Sequence, residues 1–121
     1  MTQPHSLIEA LSLAQLAAYN RADVEAFCAC YHEHIEVLDH TGAVNLQGMA
    51  AFRARYTQMF AEHTDVTATV DARMVLGPHS VERERWSRVH GATGVQSGGT
   101  VIVRYTELEG LIRYAEFLRA E

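Results

Sequence analysis

The sequence predicts an α+β fold, with helices first and a meander of long antiparallel strands after them. Three observations predict it. Up to about residue 62, apolar side chains recur at spacings of three and four, the period of a helix face. From Val66 onward they alternate instead, through Ala68, Val70, Ala72, Met74 and Leu76. Turn signals then cut the second half into strand-sized pieces: Gly77-Pro78, the glycine-rich HGATGVQSGG of residues 90–99, and Glu109-Gly110.

Each element follows from its own pattern. Leu7, Leu11, Ala14 and Ala18 form one stripe, widened by Ile8 and Leu16, and predict a helix over 6–19. A turn over 20–22 leads to Asp23, which can cap a second helix by accepting a backbone N–H. Val24, Phe27, Cys28 and Tyr31 would be its apolar face. A short strand is expected over 35–39, a turn at Thr41-Gly42, and a partner strand over 43–46. A third helix runs from after Gly48 to about Glu62, with Phe52, Tyr56, Met59 and Phe60 inward. Strands are expected over 66–76, 80–90, 100–108 and 111–119, the last two joined at Glu109-Gly110.

The chain has 121 residues, 48% of them hydrophobic, and shows neither linker nor repeat, so one domain spanning 1–121 is expected. That composition supports a core without disulfides or a structural metal. Net charge is −5, and every basic residue is arginine. Neither a nucleic-acid nor an anionic-membrane surface is expected from that balance. The stretch LIEALSLAQLAAY has the apolar character of a secretion signal, but it lacks a basic leader and is interrupted by Glu9 and Gln15, so it reads as a helix. No apolar run is long enough to span a bilayer. Cys28 and Cys30 are too close in sequence to be good disulfide partners. These features predict a cytoplasmic location.

The order of elements and their punctuation resembles the nuclear-transport-factor-2-like superfamily, which includes SnoaL-like and ketosteroid-isomerase-like proteins. The carriers are YNRADVEAFCACY on the helix pair, IEVLDH on the first strand, LQGMAAFRARY entering the third helix, and VRYTELEGLIRYAEFL on the last hairpin. The resemblance covers nearly the whole chain. It implies a cone-shaped curved antiparallel sheet with the three helices of the N-terminal half on its concave face, enclosing one pocket. Such folds serve isomerases, dehydratases, cyclases, hydrolases and non-catalytic binders, so fold alone does not fix function.

Cys28, Cys30, His32 and His34 recur at every second position and raise the question of a metal. Two residues apart on a helix point about 200° apart, so Cys28 and Cys30 cannot share an ion there. His32 and His34 are expected in the loop before the first strand, and the spacing is not that of a zinc site. The reading is no metal and no cofactor, with Cys28 in the core and Cys30 more exposed. If residues 31–35 were extended, however, His32 and His34 would share a face.

The resemblance places Asp39 where ketosteroid isomerases carry a proton-shuttling carboxylate. A carboxylate on an apolar wall has a raised pKa and can act as a general base. The alternative is a strand-end Asp that starts the Asp39–Gly42 turn. By the same resemblance, the oxyanion Tyr position holds Gln15 and the protonated-Asp position holds Ile102, so the electrophilic half of the steroid isomerase is missing. Tyr56 matches a position whose ring reaches the pocket, or else is a core aromatic. Phe52, Tyr56, Phe60, Ile102 and Phe117 are the apolar neighbours expected around Asp39. Strand 80–90 has no apolar face. Glu84 and Trp86 either line the pocket, with Glu84 paired to Arg104, or join a solvated ladder of charges. Val101, Val103 and Tyr105 are expected on the outer face of the sheet, covered in a homodimer.

Together these predict a pocket protein for a small hydrophobic or amphipathic ligand. It would be a metal-free acid–base enzyme of isomerase, dehydratase or cyclase type with Asp39 as base, a non-catalytic binder, or a dimeric scaffold.

Overall fold

The computed structural model describes residues 6–119. Among the described residues the elements run α1 (Leu7–Asn20), α2 (Val24–Cys28), β1 (Tyr31–Leu38), β2 (Val44–Gln47), α3 (Met49–Glu62), β3 (His63–Leu76), β4 (His79–His90), β5 (Gln96–Leu108) and β6 (Leu111–Arg119). Ser6 caps α1 by accepting from the Glu9 N–H, and Asp23 caps α2 by accepting from the Ala26 N–H. Glu109 and Gly110 both have positive φ, 56° and 86°, the geometry of a two-residue hairpin loop between β5 and β6.

The six strands form one curved, open sheet in the order β2-β1-β6-β5-β4-β3. All neighbours are antiparallel except β1 and β6, which are parallel, so the sheet is mixed. The parallel pair joins the first strand to the last. The helices cover the concave side. There Phe27 stacks on Phe52 with ring centroids 5.7 Å apart and also meets Tyr31 and Tyr56. Each such buried ring contributes about 1.5–3 kcal/mol by leaving water. Ile8, Ile35, Val103 and Ile112 complete the core.

Four details differ from the sequence reading. The second helix stops at Cys28 and β1 begins at Tyr31, so His32 and His34 lie on a strand, not in a loop. The cause is tertiary: Tyr31 pairs with Ile112 of β6, and the Ile112 N–H donates to the Cys30 carbonyl. Cys30 is buried like Cys28, and its thiol donates to the Ala26 carbonyl. In β3 the alternation does not run unbroken. An irregularity between Val70 and Ala72 leaves Asp71 as an extra residue, which turns Ala72, Met74 and Leu76 outward and Arg73 inward. Finally, Val101, Val103 and Tyr105 are 5%, 0% and 2% exposed and face the helices, whereas Ile102 is 41% exposed on the outer face. Alternation defines two faces but not which of them is inside. Register decides it, by setting Val101 and Val103 opposite Glu84 and Glu82 on the inner face of β4.

Candidate functional site

The helices and the concave sheet enclose a cavity of about 420 Å³. Its floor is made by buried Gln15 of α1, Tyr31 and Val37 of β1, Ala68 of β3, and Val101 and Tyr105 of β5. Tyr56, Glu84, Trp86, Arg88 and Phe117 form the walls, and exposed His40, Asn45, Arg55 and Arg119 mark the mouth. The odd composition of residues 80–90 now has a reason. One face of β4 looks into the helices and cavity while the other meets solvent, so charged residues occur on both.

Glu84 is the most perturbed carboxyl of the cavity. Its pKa is pushed up to about 7, first by burial and then by the nearby Glu82 charge, against a smaller opposing pull from Arg119. It therefore exchanges a proton near neutrality. Burial also raises the Tyr56, Tyr31 and Tyr105 phenols, which stay protonated as donors.

These hydroxyls form a short relay. Tyr31 donates to Gln15 Oε1 at 2.9 Å, and its oxygen is hydrogen-bonded with Tyr105. The relay fixes which way the Gln15 amide points. Its Nε2 is buried and has no acceptor among the described residues, although Gln15 is only 3% exposed. A buried N–H left unmade costs about 1–3 kcal/mol, so this donor on the cavity floor is open to an acceptor.

A family model for the SnoaL-like domain matches residues 13–115. The chain belongs to the SnoaL-like family. This places it in the nuclear-transport-factor-2-like superfamily, as the order of elements implied. The SnoaL-like fold is shared with solved structures of low sequence identity. One is a cystatin-fold protein of uncharacterised function from Novosphingobium aromaticivorans, 22% identical, with a TM-score of 0.82, covering 95% of this chain and 99% of the other. A second is a candidate SnoaL-like polyketide cyclase from Jannaschia, 12% identical, with a TM-score of 0.77, covering 96% and 90%. A third is a protein of ketosteroid-isomerase-like fold from Catenulispora acidiphila in complex with trimethylamine, 14% identical, with a TM-score of 0.74, covering 96% and 85%. No curated protein matches the chain significantly.

Of the residues singled out in the sequence, Asp39, Gln15, Tyr56, Glu84, Trp86 and Phe117 border the SnoaL-like cavity. Three do not. Phe60 packs behind it, edge-on to Tyr19 at 5.5 Å. Ile102 lies on the outer face, and Arg104 pairs there with Glu116 at 3.3 Å. The expected Glu84–Arg104 pair does not form, because Arg104 opposes Val81 while Glu84 opposes Val101.

Asp39 sits just past the end of β1. Its Oδ1 accepts from the Thr41 N–H at 2.8 Å, the Thr41 hydroxyl, and the Ala43 N–H at 3.2 Å. These bonds, Thr41's above all, lower its pKa, whereas the sequence predicted a raised one. Desolvation pushes the other way but is outweighed, because the β1–β2 turn is largely open to solvent.

Sequence reasoning missed Tyr31, Tyr105, Arg55, Arg88 and Arg119. Tyr31 fitted a helix stripe, and Tyr105 was placed outside. The unexplained polarity of strand 80–90 was the one signal that could have found Arg88.

At the other end of β1, His32 Nδ1 accepts from the His34 N–H, so its proton is on Nε2, which donates to Glu109 at 2.7 Å. His32 and His34 do neighbour each other on the strand, with ring centroids 5.5 Å apart. Among the described residues no three His, Cys, Asp or Glu side chains are grouped to hold a metal ion.

Proposed function

We propose that this SnoaL-like protein binds a small, mostly apolar molecule in its cavity and transfers a proton on it, in an isomerase-, dehydratase- or cyclase-like reaction. The observation that carries the reading is the Glu84 carboxyl, raised to about 7 and facing a cavity whose floor holds the Gln15 amide. A base poised near neutrality takes a proton most effectively at neutral pH. Gln15 Nε2 is the donor for the oxygen on which negative charge would develop. Tyr31 and Tyr105 hold that amide in place and do not themselves need to touch the substrate. The turn-bound Asp39 is proposed at the rim, with the base role passing to Glu84. The Jannaschia protein, a candidate polyketide cyclase, and the Catenulispora protein, in complex with trimethylamine, support small-molecule chemistry and small-molecule binding on this fold.

The test is hydrogen–deuterium exchange on 2-tetralone, a bicyclic ketone, followed by NMR in heavy water. Wild type should accelerate exchange at the carbon next to the carbonyl, with a rate rising through about pH 7. Glu84→Gln should abolish the acceleration. Binding of ketone without exchange would instead favour the non-catalytic binder. Aliphatic Val101 and Val103 on the inner face favour that second reading, since neither supplies a second oxyanion donor.

No helix among the described residues is long and apolar enough to cross a membrane. A cytoplasmic location and a homodimer remain proposals. The dimer patch moves to the outer-face residues Met74, Ile102 and Leu118, which are 74%, 41% and 37% exposed. Light scattering at micromolar concentration should give twice the chain mass, and Ile102→Glu should give a monomer.

A further inference from the structure

The arginines of this chain divide into two groups. Seven of the ten make an ion pair: Arg21 with Asp23, Arg53 with Glu25, Arg73 with Glu82, Arg83 and Arg85 with Asp71, Arg104 with Glu116, and Arg113 with Glu36. The three without an ion pair among the described residues are Arg55, Arg88 and Arg119, and all three line the cavity. In a chain of net charge −5, this leaves the cavity as a local concentration of uncompensated positive charge. The acids facing it are Asp39, committed to its own turn, and Glu84, whose proton is largely retained below about pH 7.

The cations are also positioned. The Arg88 guanidinium lies over the Trp86 ring at 4.8 Å, and that of Arg119 lies over Phe117 at 5.7 Å. An arginine resting on an aromatic face keeps the edge of its planar fork directed away from the ring, and of the Arg88 fork one part also meets the Tyr19 hydroxyl. Arg88 Nε is buried and has no acceptor among the described residues. A guanidinium with a buried, unused N–H calls for an anionic acceptor, and carboxylate geometry suits the fork.

Resting on the cavity reading above, we propose that the ligand is an organic anion: a ring-bearing apolar body carrying one carboxylate or equally acidic group. The acidic group meets Arg88 and Arg119, with Arg55 drawing it to the mouth. The ring body lies along Trp86 and Phe117, and its far end reaches the Gln15 amide and Glu84.

Two probes of nearly the same shape test this. One is 1-anilinonaphthalene-8-sulfonate, an aryl anion. The other is N-phenyl-1-naphthylamine, the same body without the sulfonate. Trp86 is the chain's single tryptophan and lines the cavity, so quenching of its emission reports occupancy. The anion should bind about tenfold or more tightly than the neutral probe, and its advantage should shrink as salt rises. Arg88→Gln and Arg119→Gln should each cancel most of that advantage and leave the neutral probe unchanged. Arg85→Gln on the outer face should change neither. Equal affinity for both probes, or an advantage that survives both substitutions, overturns the anion inference and leaves the cavity reading standing. Failure of both probes to quench Trp86 in folded wild type overturns the two together.

Discussion

Glu82 and Glu84 stand two residues apart on the same face of β4, one at a sealed region of the concave surface and the other at the open cavity. Glu82 is 1% exposed, and its Oε2 accepts from Ser12 of α1, from Ser80 at 2.8 Å and from Arg73 of β3 at 3.2 Å. Among the described residues no side chain hydrogen-bonds Glu84, which faces the cavity. Both carboxyls lie away from bulk water on one strand. The difference is that one oxygen of the first, Oε2, has charge and hydroxyl partners that replace water, although its Oε1 has none among the described residues, and the second acid has none on either oxygen. At the sealed end a carboxylate ties α1 to the sheet. At the open end the same residue type is left to titrate, and Glu82 itself helps by raising it. Partners, not burial alone, separate an acid that ties the fold together from one left to titrate.

The largest expected effect tests the sealed end. Glu82→Ala removes the acceptor for Arg73, Ser12 and Ser80 and leaves two buried hydroxyls and a partly buried guanidinium without it. Breaking a buried pair from one side costs about 3–5 kcal/mol, and urea denaturation should show a loss of that size. A loss below about 1 kcal/mol would erase the distinction between the two acids.

Glu84→Gln should act in the opposite direction. Glu84 has a folded pKa of about 7 against an ordinary value of 4.5, so between those values the folded state holds more protons than the unfolded one. Wild-type stability should therefore fall as pH climbs through that window, with the full penalty present above about pH 7. The variant lacks the charge and should be the more stable protein at pH 8, by on the order of 1–3 kcal/mol, with little difference near pH 4.5. Thermal melts at the two pH values measure it. A variant less stable than wild type at pH 8 would mean that Glu84 has structural partners after all.

The smallest effect sharpens the comparison with a third acid. Asp39 has backbone and hydroxyl donors like Glu82 but is open to solvent like the cavity mouth. Its lowered pKa adds stability above the ordinary value of 3.8, and that contribution is lost as pH falls through the lowered value. Asp39→Ala should lower the melting temperature slightly at pH 7, and the difference should close in strong acid. That sign is the reverse of what a desolvated catalytic Asp would give. An increase in melting temperature would return the base role to Asp39.

What the sequence determined by itself is whatever depends on near neighbours along the chain. Three- and four-residue spacing specified α1 and α3, alternation specified the strands of the second half, and Glu109-Gly110 specified the last hairpin. Of the residues that border the cavity, Glu84 and Trp86 were visible because strand 80–90 broke the regular alternation, whereas Gln15, Tyr56 and Phe117 were reached through the family resemblance and the position of Asp39. Tertiary structure alone decided which face of each strand is inside. A period of two is symmetric, so β5 could be read either way until register placed Val101, Val103 and Tyr105 beneath the helices and Ile102 and Arg104 outside. One extra residue at Asp71 likewise reversed the outer half of β3, which no local pattern announces. The ends of α2 and β1 were set by pairing with β6, some eighty residues away. Charge at the site is non-local for the same reason. Seven arginines acquire their partners only on folding, and the three left over converge on one cavity.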